Sequence, residues 1–122
     1  MEQQGIENAI RDKAREWAAE YGEDFVVELA GDFLSDAAAR MERLRQALAD
    51  GDADTLMLEA HTLKSSSANV GALQLSALCI ELETMGRANS TDGAAPKVQA
   101  LETEFERVKQ ALAEIIAKEV RP

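Results

Sequence analysis

The chain has one cysteine, one histidine and two prolines, and aromatic side chains make up only 4% of it. A single thiol, Cys79, excludes an intrachain disulfide and fits a reducing compartment. The prolines, Pro96 and Pro122, leave everything before residue 96 free to be helical. No apolar stretch approaches the roughly 20 residues that span a bilayer. The first 20 residues mix acids and bases and lack the apolar centre of a signal peptide. Basic residues are scarce, 13 against 23 acidic ones, for a net charge of −10. That balance argues against nucleic acid or a membrane surface as partner, since both require concentrated Lys and Arg. A glycine-rich phosphate loop is missing too, so no recognisable device binds ATP. What is present is 46% hydrophobic and 30% charged residues over 122 positions. The expectation is a cytoplasmic, soluble, single domain over residues 1–122, long enough to bury its own core.

The apolar residues recur every three or four positions, without the alternation of strands, and Ala, Leu, Glu and Arg dominate. This predicts an all-α fold. A first helix is expected over about 5–20, with Ile6, Ile10, Ala14 and Trp17 on one side, stopped by Tyr21-Gly22. A long second helix, near 23–49, carries Val26, Leu29, Phe33, Ala37, Met41, Leu44 and Leu48, and Gly31 is its weak point. Gly51 suits a left-handed cap and Asp52 the next N-cap. The third helix, near 53–68, ends at Asn69-Val70-Gly71. The fourth, about 72–86, turns Leu75, Leu78, Leu82 and Met85 inward and closes at Gly86. After a polar loop the fifth runs to about 118, with Pro96 in its first turn and the seam Val98, Leu101, Phe105, Val108, Leu112 and Ile115. The tail from Glu119 to Pro122 is expected to fray. Short connections make helices two to five an antiparallel up-down-up-down four-helix bundle over about 23–118, with the N-terminal helix packed across it and the whole a monomer.

His61 lies in the third helix, on a different face from the stripe Leu56, Ala60, Leu63 and Ser67. A lone surface histidine is by default a solvated residue without a task. Its neighbours change that reading. Lys64, one turn on, can give a charge-assisted hydrogen bond to a phosphoryl group on the ring. Ser65 and Ala68 keep the adjacent surface low for the close approach of another protein. Met57 and Leu58 precede the ring and suit an apolar docking rim, with burial against the first or second helix as the competing reading. Antiparallel packing sets Arg40 and Arg43 of the second helix at about the same height, where they would lend positive potential.

Other chemistries lack parts. A metal or haem site in a bundle core requires inward ligands from facing helices, and there is no second histidine. Activation of Ser65, Ser66 or Ser67 by His61 would lack an oxyanion hole and a third member. Ser66 and Ser67 instead suit close helix packing. Cys79, beside Leu78 in an apolar stretch, reads as core.

The run His61-Thr62-Leu63-Lys64-Ser65-Ser66-Ser67-Ala68-Asn69-Val70-Gly71 closely resembles the signature of histidine-containing phosphotransfer (HPt) domains, relay modules of bacterial multistep two-component signalling. The likeness extends over roughly residues 20–117. It includes Asp32-Phe33-Leu34, the Ala49-Asp50-Gly51-Asp52 turn, Leu82 to Arg87, and Leu101-Glu102-Thr103-Glu104-Phe105. It implies that His61 accepts a phosphoryl group, through Nε2, from an aspartate of a receiver domain and passes it to another receiver. Lys64 would stabilise that group. The Mg²⁺ would sit in the receiver, so no cofactor is expected here, and the domain would be a carrier rather than an enzyme. The family usually has glycine where Ser65 stands. The rival readings are a helical interaction module that carries no phosphoryl group, and a histidine kinase dimerisation unit. The second is disfavoured by Thr62 after the histidine and by the absence of proline before Pro96.

Overall fold

The computed structural model describes the backbone of residues 2–120 and, apart from Glu119, the side chains of residues 5–120. Among these, every regular element is helical: α1 (Glu2–Tyr21), α2 (Glu23–Asp50), α3 (Ala53–Asn69), α4 (Leu73–Arg87) and α5 (Ala94–Ile115), closed by a π-helical turn over Ile116–Val120. Helices α2 to α5 form the antiparallel bundle, and α1 packs against α5 and α2 and touches α4.

The boundaries follow from local chemistry. Gly51 adopts φ 67, and its backbone N–H and that of Asp52 return to carbonyls of the last turn of α2. Asp52 then caps α3 by accepting from the Thr55 amide at 3.1 Å. Gly71, at φ 83, makes the turn between α3 and α4. Helix α2 runs through Gly31 unbroken, and Pro96 occupies the first turn of α5. Two ends differ from the sequence expectation. Helix α4 does not close at Gly86 but continues to Arg87. Val120 does not fray: it is buried in the π-helical turn against the core. Arg121 and Pro122 lie outside the described residues.

The predicted seams form one core. Ile10, Val26, Phe33, Ala37, Met41, Leu44, Leu56, Leu63, Leu75, Leu82, Leu101, Val108 and Ile115 are all buried in it, with Leu29, Leu48, Leu78 and Met85 packed at its margin. Burial of a large aliphatic side chain contributes about 1.5–3 kcal/mol, so this cluster is the main source of stability.

Two glycines set how closely the site's helices approach. A Cβ on Gly86 would lie 2.7 Å from the Ala53 carbonyl oxygen and 2.8 Å from both N and Cβ of Met57. No residue with a side chain fits there, so α3 and α4 touch backbone to backbone at that level. At the other end, a Cβ on Gly71 would lie 2.6 Å from the Ala9 carbonyl oxygen. Helix α1 is thereby pressed onto the α3–α4 turn, and the Trp17 indole N–H donates to the Asn69 carbonyl at 2.8 Å.

Substitution at two of the helical glycines, Gly86 and Gly31, should separate packing from propensity. Gly86→Ala forces α3 from α4 and is expected to cost about 1–3 kcal/mol of stability. Gly31→Ala, where nothing lies within 4 Å of the added methyl, is expected to gain about 0.5–1 kcal/mol. Urea unfolding checks both, and equal effects at the two positions would refute the close-approach role.

Candidate functional site

The α3–α4 hairpin is centred near Ala72, and Glu83 lies as many residues after that point as His61 lies before it. Antiparallel packing therefore brings the two to one level. The Ser76 hydroxyl donates to the Lys64 carbonyl at 3.0 Å and pins the same register from inside.

The His61 ring is 57% exposed, and the Glu83 side chain beside it only 7%. Nδ1 of His61 stands 2.7 Å from Oε2 of Glu83. Lys64 Nζ donates to the other carboxylate oxygen, Oε1, at 2.8 Å and lies 3.5 Å from Nδ1. Arg87, one turn after Glu83, donates through Nη2 to Oε2. One sequestered carboxylate thus accepts from three donors on two helices.

The hydrogen bonds from Lys64 and His61 outweigh the cost of burial and, helped by Arg87, bring the Glu83 carboxyl down from its ordinary 4.5 to about 2. An ionised carboxylate can only accept. Nδ1 must therefore carry the proton of the neutral ring, and the lone pair lies on Nε2, the nitrogen not engaged by Glu83. The geometry presents a nucleophilic nitrogen in solvent, with its tautomer set from behind.

Around the ring, Ser65 is exposed and Ala68 half-buried on the following turns of α3, and Leu58 is 59% exposed on the preceding turn. Met57 is half-buried, and its Cβ and backbone N lie where α3 crosses Gly86. It belongs to the helix contact, against α4, more than to the rim. Arg40 and Arg43 are not gathered at the ring. Both close on Glu59, at 2.8 and 3.6 Å. Glu59 lies two residues before His61 and so about 200° around the helix from it. Their height relative to α3 is as expected, but their face is the α2–α3 seam. Cys79 is fully buried, and burial pushes its thiol up to about 12, so it is an inert core residue. Among the described residues no group of three or more His, Cys, Asp or Glu could hold a metal ion, and no helix is long and apolar enough to cross a membrane.

Sequence reasoning assigned no role to Glu83 or Arg87. The signal was present in the hairpin symmetry about Ala72, combined with the spacing of Glu83 and Arg87 one turn apart on α4. Charged residues on a helix flank are ordinarily solvated, and only the packing marks Glu83 as buried.

The depressed Glu83 has a consequence for acid stability. Its folded-state value lies below the unfolded one, so its contribution is complete above about 4.5 and is lost as the pH falls towards about 2. Wild type should therefore lose its stability advantage over Glu83→Gln across that window, as followed by urea unfolding at a series of pH values. A difference that does not change with pH would show the contacts to be electrostatically idle.

Among known proteins, the Hpt domain family model matches residues 28–111. The structure is similar to the crystal structure of histidine-containing phosphotransfer protein B from Pseudomonas aeruginosa PAO1, at 30% identity over 84% of this chain and 89% of that one, with a TM-score of 0.80. It also shares its fold with the HPT domain of the Hpt sensor hybrid histidine kinase from Shewanella, at 20% identity over 88% and 92% of the two chains, with a TM-score of 0.74. No curated protein sequence matches the chain. A family match across more than half the chain, joined to the relative at 30% identity, places the chain in the Hpt domain family, with a role in histidine phosphotransfer within two-component phosphorelays.

Proposed function

We propose that His61 is the phosphoryl carrier of this protein, taking the group from the aspartate of one receiver domain and delivering it to another. The observation that supports this most directly is the exposed ring whose Nδ1 is engaged by an ionised, buried Glu83, which leaves Nε2 as the available nucleophile. In the accepting step the Nε2 lone pair attacks phosphorus. The bond from phosphorus to the aspartyl oxygen breaks, and its electron pair returns to the receiver's carboxylate. Delivery is the same step in reverse.

Catalysis in this reading comes from positioning in the complex. The receiver brings the Mg²⁺ in its own acidic pocket; this chain brings the nucleophile and needs no cofactor. It is a carrier, not an enzyme with turnover of its own. Lys64 is the cation within reach of the transferred group and would stabilise it. The small side chains of Ser65 and Ala68 leave room for the receiver, and Leu58 supplies apolar area at its edge. Arg40 and Arg43, tied to Glu59, would contribute only at the periphery of such a contact. A cytoplasmic monomer meeting receiver domains is the setting that the buried free thiol and the core fit best.

Incubation with a labelled phospho-receiver tests the reading. Acid-labile, base-stable label is expected on wild type and not on His61→Gln. Label kept by the variant, or absent from wild type across a panel of receivers, would favour a helical interaction module instead. Leu58→Glu should weaken receiver binding roughly tenfold, a loss of about 1.4 kcal/mol, with helicity retained because Leu58 is exposed. Titration of a fluorescent receiver, alongside circular dichroism, measures both.

A further inference from the structure

Glu83 has one more cation than it needs. With the ring neutral, the carboxylate, Lys64 and Arg87 together carry one net positive charge, held in a protein of net charge −10. If a phosphoryl group adds to Nε2 and the Nδ1 proton stays, the ring becomes cationic and the phosphoryl group dianionic. The cluster is then neutral. If the proton leaves, the cluster is left with a net negative charge.

The location of that proton decides the chemistry of the N–P bond. A ring protonated at the other nitrogen leaves as neutral imidazole, and the bond breaks easily. A deprotonated ring would have to leave as imidazolate, and the bond is long-lived. We propose that Glu83, held in place by Arg87, keeps the Nδ1 proton on the ring after the phosphoryl group has arrived, so that phospho-His61 is maintained in its protonated, transfer-ready form while Lys64 turns to the phosphoryl oxygens. This rests on His61 being the acceptor.

The geometry fits each part. Glu83 meets Nδ1 at 2.7 Å from a side chain only 7% exposed, so water competes poorly for the proton. Arg87 reaches the same carboxylate from within α4 and can hold it when Lys64 leaves. Of the other charged and titratable groups on α3 and α4, Lys64 and Arg87 meet Glu83 beside the ring, and Cys79 is buried. Glu81 pairs with Lys97 of α5, Glu59 pairs with α2, and Asp54 lies in the first turn of α3, two turns from His61. Arg40 and Arg43 of α2 are closed on Glu59. Proton and phosphoryl bookkeeping then balances in both directions. The N–P bond forms and breaks at Nε2, the electron pair moves between Nε2 and the aspartyl oxygen, and no proton need be exchanged with solvent.

Phosphoramidate, used as a small-molecule donor, tests this without a receiver. Loss of label is followed from pH 6 to 9, with ¹⁵N-edited NMR of the Nδ1 proton in the phosphoprotein. Wild type should retain that proton and a nearly constant rate of loss to pH 8. A contacting carboxylate favours the protonated partner by about one pKa unit or more, a tenfold factor in the protonation equilibrium. Glu83→Ala should therefore begin to slow its loss of label about one pH unit below wild type, with a lifetime about twofold longer at pH 8 and approaching tenfold at the alkaline end of the range, and should lose the Nδ1 signal. Arg87→Met, at a side chain 65% exposed, should shift the same way with its fold intact, and Arg87→Lys should restore wild-type behaviour. A Glu83→Ala or Arg87→Met lifetime equal to or shorter than wild type, or a wild-type phosphoprotein without the Nδ1 proton, would overturn the proposal. Should Glu83→Ala not fold, the wild-type signal and Arg87→Met decide it. Failure of wild type to take label, or label on His61→Gln, would instead remove His61 as acceptor, a separate and recognisable result.

Discussion

The buried carboxylate of Glu83 is the contact on which the site depends. An exposed imidazole on a helix is otherwise free to exchange tautomers and rotamers, and either nitrogen can then present its lone pair. Contact with an ionised carboxylate removes that freedom. Because Glu83 is sequestered and its partners are not, it acts as a fixed point against which a solvent-facing ring is oriented. The cost of placing a negative charge there is offset by Lys64, His61 and Arg87, the balance recorded in its low pKa. Without those donors a carboxyl at this position would be driven towards its neutral form, and the ring would lose the acceptor that selects its tautomer.

That contact in turn requires α3 and α4 to lie closer than helices with ordinary side chains at the crossing allow. Gly86 removes the obstructing Cβ against Ala53 and Met57, one turn beyond Glu83. Gly71, wedged against the Ala9 carbonyl, and Trp17, bonded to the Asn69 carbonyl, hold the turn of the hairpin under α1. The N-terminal helix thus contributes to the site through the hairpin turn it packs on. Packing at one end of the hairpin fixes its register, and register decides which α4 side chain faces the histidine.

The sequence carried the frame of this arrangement well. Helix periodicity placed the core face of every element, because apolar spacing reports burial directly, and the Gly51–Asp52 and Gly71 turns were readable from cap chemistry alone. His61 and Lys64 stood out since their residue types are rare or charged at positions that share a face. Three features were hidden. Gly86 reads as a stop by composition, and only the neighbouring helix reveals it as a contact. Glu83 reads as one more charge on a helix surface, since burial of a polar residue depends on its partners across the hairpin. Arg40 and Arg43 were at the height expected, but height fixes only one cylindrical coordinate; Glu59, on the far side of α3, determines the other.

A carrier that passes its cargo both ways must neither hold it too tightly nor lose it to water. A bundle core of tightly packed aliphatic side chains offers no moving lid, so the balance has to be built into the electrostatics of the ring. A local cationic cluster within an acidic protein meets that requirement. The net charge of −10 repels diffuse anions over the surface, whereas Lys64 and Arg87 give the histidine face a short-range attraction that is effective only at contact distance, given a Debye length of about 8 Å at physiological salt. On the function proposed above, a receiver that offers its phosphoryl group from an acidic pocket would gain most when docked squarely on the α3–α4 hairpin. Selectivity for that geometry would then follow from Lys64 and Arg87, the cations that hold Glu83 against the ring.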